Sequence, residues 1–318
     1  MLVYEAAARY TFIGSELLAE PEAPTEWVWG HPDGLGMWAV GDVVAIGAYS
    51  GKGKTSLIYG VATASNREET FISLPVKPGL KFLMITEASK RQAKKLLRQG
   101  GLTIEQSANI VAVVYPSVTA AVVELLCEEH RPDVVVIDSL TRIAPHLKVH
   151  HGREFSWTQP ADVTDVSGYF RDLVRNFNLS LLIYACHTNK QSSADLKAFR
   201  GTGAVVEQAD SAWLFNRGEG AKSDTFSRVK SRDEDETFKS LDFTYDSSTG
   251  RYAPVGVVDG GVVDMVKSLA DKGKRLSKTS LAKHLGGKYE TRCALIKSLV
   301  DSGTLLIDAD KCVVVGKG

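Results

Sequence analysis

The sequence is poor in cysteine and has no excess of charge of either sign. Its 318 residues balance 38 basic against 38 acidic side chains, and the four cysteines are Cys127, Cys186, Cys293 and Cys312. These cysteines lack the close spacing of metal or redox sites, so we expect reduced thiols in a cytoplasmic compartment. A net charge of zero excludes a globally basic nucleic-acid binder, and any surface for DNA must therefore be local.

Long apolar runs and low-complexity segments are missing as well. No run approaches the roughly 20 residues of a membrane-spanning helix, and the N-terminus has no charged-then-apolar signal pattern. We therefore expect no membrane partner. With 44% hydrophobic and 24% charged residues, the composition is that of a globular protein, and the length suits one large α/β domain and a small one.

One stretch near residue 50 has the pattern of a phosphate-binding loop. An apolar run from Val43 enters a glycine-rich turn, and Gly-Lys-Thr then opens an apolar helix; the strict pattern has glycine where this chain has Ala48. Such a loop points backbone N–H groups at phosphate oxygens, and the helix N-terminus adds partial positive charge. Lys54 is expected to reach the β- and γ-phosphates of ATP, and Thr55 to hold Mg²⁺. The predicted nucleotide-binding residues are Gly51, Lys52, Gly53, Lys54, Thr55 and Ser56.

Strand and helix patterns alternate from residue 43 to residue 185, which is typical of a parallel sheet covered by helices on both faces. The predicted strands are 43–46, 81–87, 110–115, 133–138 and 179–185. Residues 146–163 are predicted to be a polar loop, followed by a helix from Ser167. Residues 210–254 carry shorter strand patterns with turns, which predict antiparallel strands that extend the sheet.

Three polar residues fall at the carboxyl ends of the predicted strands, where such sheets bind ligands. Asp138 suits the carboxylate of the Mg²⁺ shell, or it caps the next turn. Glu87 can deprotonate the attacking water, or it pairs as a surface acid with Lys90 or Arg91. His187 can contact the γ-phosphate, or it faces solvent at the strand end.

Two cations late in the chain, Lys230 and Arg232, lie on one face of a predicted strand. They are too far along the chain to belong to the phosphate loop. They can reach a γ-phosphate bound to a neighbouring subunit, as an arginine finger does. The alternative is an exposed basic pair balanced by the acidic run 233–236.

The ordered motifs are Gly53-Lys54-Thr55, Glu87, Ile137-Asp138-Ser139-Leu140, His187-Thr188-Asn189-Lys190, Arg200-Gly201-Thr202-Gly203 with Ala209-Asp210, and Lys230-Ser231-Arg232. As a set they resemble the RecA-like core of ring-forming replicative helicases of the RepA and DnaB types, including phage and plasmid members. The resemblance covers about residues 25–254. The acidic run 233–236 stands where the family usually has glycine, and no primase-type or DnaB-type domain precedes the core.

The resemblance implies an α/β P-loop NTPase with a mostly parallel sheet, acting with ATP and Mg²⁺ as a homo-oligomer, a hexamer, on single-stranded DNA. It makes Glu87 the catalytic base, Asp138 the metal-shell acid and His187 the γ-phosphate sensor. Lys230 and Arg232 become fingers that act across a subunit interface. DNA-binding loops are implied at about 146–163 and 189–203, with the candidate residues Arg153, Lys190, Lys197 and Arg200.

The C-terminal segment has a different pattern. Residues 256–318 hold eleven Lys/Arg and seven Asp/Glu, a net charge of +4. Three helical patterns followed by a hairpin pattern resemble a winged helix, whose third helix can enter a DNA groove with Lys288 and Arg292. A protein-interaction or ring-stabilising module is the alternative. The predicted division is an N-terminal arm at 1–25, the ATPase domain at 26–254 and this domain at 256–318.

The sequence leaves three functions open. The first is an ATP-driven DNA translocase or helicase that works as a ring in replication or repair. The second is a recombination or repair ATPase that forms filaments on DNA. The third is a nucleotide-dependent regulator built on the winged helix. Replication or recombination proteins are expected partners for the first two.

Overall fold

The computed structural model describes most of the chain between residues 14 and 315. The described residues are 14–19, 24–32, 35–49, 51, 53–114, 118–147, 154–188, 199, 204–217, 223–232, 237–246, 249, 251–255, 266, 269–270, 274–284, 292–293, 296–297, 299–300 and 305–315.

Nine of the described strands form one central sheet. The strands are β1 (Trp27–Gly30), β2 (Gly36–Ala39), β3 (Asp42–Ala48), β4 (Thr70–Phe71), β5 (Leu74–Pro75), β6 (Phe82–Thr86), β7 (Ile110–Val114), β8 (Val134–Asp138), β9 (Leu181–His187), β10 (Ser211–Arg217), β11 (Asp224–Ser231), β12 (Ser240–Asp246), β13 (Arg251–Pro254), β14 (Leu305–Ile307) and β15 (Val313–Val315). The order in the sheet is β13-β12-β11-β10-β3-β9-β8-β6-β7. Strands from β10 to β7 in this order run parallel, and β10 to β13 pair antiparallel.

Helices cover both faces of this sheet. They are α1 (Gly14–Ala19), α2 (Lys54–Arg67), α3 (Lys90–Gln99), α4 (Ile104–Ser107), α5 (Ala120–His130), α6 (Leu140–Leu147), α7 (Pro160–Phe177), α8 (Ala204–Glu207) and α9 (Lys278–His284). Alternate residues of β3 enter different cores because strand side chains alternate between faces. Val44 and Ile46 pack in the cluster with α2, and Val43 and Ala45 pack in the cluster with α5, α6 and α7.

The predicted α/β class is therefore confirmed, and each strand predicted between residues 43 and 185 is present within two residues of its expected bounds. Most of these central strands are buried along their length, which explains their continuous apolar sequences. The predicted antiparallel extension is present as well. It includes β13, which the sequence patterns did not indicate.

The polar loop predicted at 146–163 is shorter in the structure. Helix α6 extends to Leu147, and α7 begins at Pro160, seven residues before the predicted start. Proline suits a first helical turn because its missing N–H is not needed there. The buried residues Val163 and Val166 extend the helical spacing of Phe170 and Leu173, so the sequence carried a signal for the longer helix.

The described part of the C-terminal segment matches the predicted element types. Helix α9 begins after Ser277, whose hydroxyl accepts a hydrogen bond from Ser280 N at 3.3 Å. Strands β14 and β15 form an antiparallel hairpin in which Leu306 pairs with Val314. Whether this segment is a winged helix, and where its boundary lies, stay predictions.

Across the part of the chain that the structure describes, we find no helix of the length and apolar character that crossing a bilayer requires.

Candidate active site

The phosphate loop joins β3 to α2 with the geometry that the sequence predicts. Gly51 and Gly53 have positive φ angles of 75° and 105°, which glycine adopts without strain. Lys54 is only 5% exposed, and its ammonium donates hydrogen bonds to the carbonyl oxygens of Ala48 at 3.0 Å and Tyr49 at 3.3 Å. Burial lowers the pKa of Lys54, and the nearby Asp138 carboxylate opposes this. The ammonium is therefore held inside the loop.

Asp138 ends β8 directly beside the first turn of α2. The Thr55 hydroxyl donates a hydrogen bond of 2.5 Å to Asp138 Oδ2. Asp138 is 4% exposed, and burial raises the pKa of its carboxyl, while the Thr55 hydrogen bond and the Lys54 charge lower it. The structure therefore brings together the two residues predicted to hold Mg²⁺.

This pair has the chemistry of a magnesium site. Hydroxyl and carboxylate oxygens suit Mg²⁺, which commonly takes one or two carboxylates together with substrate phosphates and water. No group of three or more His, Cys, Asp and Glu within the described ranges could hold a metal. Thr55 and Asp138 would therefore hold Mg²⁺ together with nucleotide phosphates. The Ser139 hydroxyl, buried next to Asp138, has no hydrogen-bond partner among the described residues.

Glu87 follows β6 and lies at the same edge of the sheet. Its backbone N–H donates to the Asp138 carbonyl oxygen at 2.7 Å. Its carboxylate pairs with Arg142, with Oε2 3.0 Å from Nε. The alternative of a pair with Lys90 or Arg91 is not observed. Arg142 lies on α6, and the sequence patterns gave no signal for it because the contact joins residues 55 positions apart.

His187 ends β9 beside the phosphate loop. It pairs with Ala48 in the parallel register, and Thr188 N donates to the Ala48 carbonyl oxygen at 3.2 Å. The side chain is half-buried. The sheet therefore gathers Lys54, Thr55, Asp138, Glu87 and His187 at one edge.

Lys230 and Arg232 lie at the opposite edge. Arg232 pairs with Asp210, with Nη1 2.9 Å from Oδ1, and the N–H of Val43 donates to the other Asp210 carboxylate oxygen at 2.9 Å. Val43 is at the amino end of β3, whereas the loop follows the carboxyl end at Ala48. Five residues of strand separate these positions by about 17 Å. Neither cation contacts the phosphate loop of its own chain within the described residues.

The two cations have different surroundings. The Lys230 ammonium donates to the carbonyl oxygens of Val206 at 3.0 Å, Glu207 at 2.6 Å and Ala209 at 2.7 Å, at the end of α8. Burial lowers the pKa of Lys230. The Arg232 side chain is 55% exposed. Arg232 is therefore the more accessible candidate for an arginine finger.

Two tyrosines near the loop were missed by the sequence patterns. The Tyr252 hydroxyl lies 3.5 Å from the Gly53 carbonyl oxygen, and the Tyr245 hydroxyl lies 3.4 Å from Ser56 Oγ. The two tyrosines pair across β12 and β13, with ring centroids 4.6 Å apart. Their placement on either side of the predicted turn 246–250 was the available signal.

Most of the predicted DNA-binding residues lie outside the described residues, as does Lys52 of the loop. These are Arg153, Lys190, Lys197, Arg200 and Lys288. Arg292 is described and differs from the exposed cation expected of a groove-reading helix. It is 6% exposed, and its guanidinium donates to the Val255 carbonyl oxygen at 3.0 Å. This contact joins the C-terminal segment to the end of the central sheet.

Comparisons with known proteins identify the fold. No protein-family model matches the chain, and no curated protein sequence matches it. The structure is similar to the ATPase domain of a DnaB-like helicase, with a TM-score of 0.52, 14% identity, and coverage of 67% of this chain and 84% of that one. It is also similar to the KaiC-like protein PH0186 from the hyperthermophilic archaeon Pyrococcus horikoshii OT3, with a TM-score of 0.52, 14% identity, and coverage of 74% and 100%. The chain therefore has a RecA-like P-loop ATPase fold.

Proposed function

We propose that this chain is an ATP-dependent DNA translocase, a helicase, that works as a ring oligomer on single-stranded DNA in replication or repair. One observation carries the proposal: the nucleotide half-site lies at one edge of the sheet, and the candidate finger Arg232 lies at the other. A complete site then needs two copies of the chain, with Arg232 of one copy at the nucleotide of the next.

The chemistry of the half-site is hydrolysis of ATP. Lys54 and the loop hold the phosphates, and Thr55 and Asp138 hold Mg²⁺, which neutralises developing charge when bound. Glu87 takes a proton from the water that attacks the γ-phosphorus, the bond to the β-phosphate oxygen breaks, and ADP leaves. Because Arg142 pairs with Glu87, Arg142 must leave this oxygen free before Glu87 accepts the proton.

The same elements lead to the predicted DNA loops. Helix α6 carries Arg142 and runs from Asp138 toward the loop after Leu147. Strand β9 carries His187 and runs directly into residues 189–203. Helix α8 follows that second loop, and Lys230 holds its end. A change at the nucleotide would therefore reach both loops through a few residues.

DNA-stimulated hydrolysis tests the proposal. We expect single-stranded DNA to raise the ATPase rate of purified protein and expect strand unwinding, with Lys54→Ala as the inactive control. No stimulation and no DNA binding at low salt would contradict it. Particle images with a non-hydrolysable ATP analogue and single-stranded DNA should show closed rings. Open filaments would instead support the recombination ATPase, because a site shared by two copies also forms in a helical assembly.

A further inference from the structure

Helix α3 carries a strong local positive charge in a chain with no net charge. Its sequence, KRQAKKLLRQ, contains five cations and no acid. The cations are Lys90, Arg91, Lys94, Lys95 and Arg98. At about 100° per residue, all five fall within an arc of about 140°. Ala93, Leu96 and Leu97 occupy the opposite side and pack against the core cluster that contains α2.

The five cations are exposed, and none of them forms an ion pair or a side-chain hydrogen bond with the described residues. This differs from the other cations discussed above. Arg142, Arg171 and Arg232 each pair with a carboxylate. The charge on α3 is therefore left to interact with something outside the described part of the chain.

The arrangement works against the stability of the helix itself. Lys90 and Lys94, Arg91 and Lys95, and Lys94 and Arg98 are like-charge pairs four residues apart, which destabilise a helix. Lys90 and Arg91 also lie in the first turn, where the helix dipole disfavours positive charge. A bound polyanion would remove both penalties, which gives the basic face a physical reason.

The surface beside α3 has room for such a ligand. A groove of about 620 Å³ runs along the helix, lined among the described residues by Ser89, Arg91, Gln92, Lys94, Lys95 and Arg98. Lys94 and Arg98 are about 6 Å apart along the helix axis, and Lys90 to Arg98 span about 12 Å. This row of cations is long enough to contact successive phosphates of an extended strand.

We propose that the exposed face of α3 is a second nucleic-acid surface, which binds the phosphate backbone of a strand without reading its sequence. It goes beyond the proposed function because it lies apart from both predicted DNA loops. Those loops follow β8 and β9, whereas α3 follows β6, one position closer to the edge of the sheet. Ser89, the N-cap of α3, is two residues after Glu87, so the bound strand would run beside the candidate catalytic base.

The test compares two triple variants of the full chain by fluorescence anisotropy with a labelled oligothymidylate. Lys94→Gln, Lys95→Gln and Arg98→Gln remove three cations from α3 with little change in helix propensity. Lys81→Gln, Arg131→Gln and Arg175→Gln remove three exposed cations from the opposite edge of the sheet. A third variant, with Lys94→Arg and Lys95→Arg, keeps the charge of α3.

We expect the α3 triple variant to bind at least about tenfold more weakly at about 0.1 M salt, with the slope of log K against log salt smaller by about 2, since each phosphate contact on a single strand contributes about 0.7. The other two variants should bind like the original protein. Equal loss in both triple variants would show a general charge effect and overturn the proposal. Unchanged DNA binding with altered oligomeric state by light scattering would assign α3 to an acidic protein surface and overturn it too. If the original protein binds no DNA, the proposed function fails as well; if it binds and only the α3 triple variant is unaffected, this inference alone fails.

Discussion

The two edges of the central sheet differ in how their functional residues are assembled. At the carboxyl edge, Lys54, Thr55 and Asp138 contact one another or the same loop, and Glu87 and His187 lie beside them. At the amino edge, Lys230 and Arg232 contact only α8 and Asp210 among the described residues. The carboxyl edge is a site in its own right, whereas the amino edge acquires a catalytic role only if a second copy supplies the nucleotide.

The physical reason for this difference is the direction of the strands. Parallel strands bring all their carboxyl ends to one edge, so each loop that follows a strand contributes to one site. Strand β11 runs antiparallel to β10, and its last residues therefore lie at the amino edge, with Ser231 opposite Ser211. The comparison can be tested by variants that affect one edge and leave the other unchanged.

Replacement of Lys54 should have the largest effect. Lys54→Ala removes a buried charge aimed at the phosphates, so we expect nucleotide binding to be lost and turnover to fall by at least about 10³-fold. Fluorescent-nucleotide titration and a steady-state ATPase assay measure both quantities. Lys77→Ala is the control, because Lys77 pairs with Glu26 outside the site at 2.6 Å. Retained nucleotide affinity in Lys54→Ala would place the phosphates elsewhere.

Replacement of Arg232 tests the amino edge. Arg232→Ala should lower turnover by about 10³-fold while nucleotide affinity stays within about twofold, because an arginine finger acts in the transition state. Mixing Arg232→Ala with Glu87→Ala subunits should restore part of the activity, since some interfaces then combine an intact half from each. Absence of this complementation would contradict a finger that acts between subunits.

Replacement of Glu87 should slow the chemical step alone. Glu87→Gln keeps the size of the side chain and removes its basicity, so we expect turnover to fall by about 10²- to 10³-fold with nucleotide binding retained. Single-turnover hydrolysis separates the chemical step from product release. Glu69→Gln is the matched control, because Glu69 forms an exposed pair with Arg67 at 2.7 Å. A loss equal to that of the control would return Glu87 to the role of a surface acid.

Replacement of Arg142 should have a smaller effect of opposite sign. An exposed ion pair is worth up to about 1 kcal/mol, which corresponds to about fivefold in rate. Arg142→Ala should therefore raise the ATPase rate without DNA by up to this factor and reduce the further stimulation by DNA. Arg142→Lys should lie between the two. A loss of turnover as large as that of Glu87→Gln would make Arg142 part of the catalytic machinery instead.

The tyrosines on β12 and β13 should have the smallest effect. The Tyr252 hydroxyl is at the distance limit of a hydrogen bond to Gly53, so Tyr252→Phe should change KM for ATP by less than about twofold. Tyr245→Phe should behave alike. Steady-state kinetics over a range of ATP concentrations measures this. A larger change would show that the antiparallel extension takes part in binding by the loop.

The sequence predicted the sheet well and its helices less well. Continuous apolar runs such as Val134–Ile137 identify buried parallel strands without long-range information. Helix α7 was placed too late because its first turns contain Asp162 and Thr164 among the apolar residues. The partner of Glu87 was predicted among its neighbours in sequence, but the carboxylate pairs with Arg142, which only the packing of α6 beside β6 brings within reach.

By itself, the sequence determined the chemistry of the nucleotide half-site. The phosphate-loop pattern and the acids at strand ends depend on local order, and parallel strands bring such ends together in any sheet of this class. Only the tertiary structure decided that Lys230 and Arg232 lie at the far edge, that Asp210 and the end of α8 hold them there, and that the cations of α3 are left unpaired. These features depend on strand direction and on contacts between residues far apart in the chain, which no local pattern encodes.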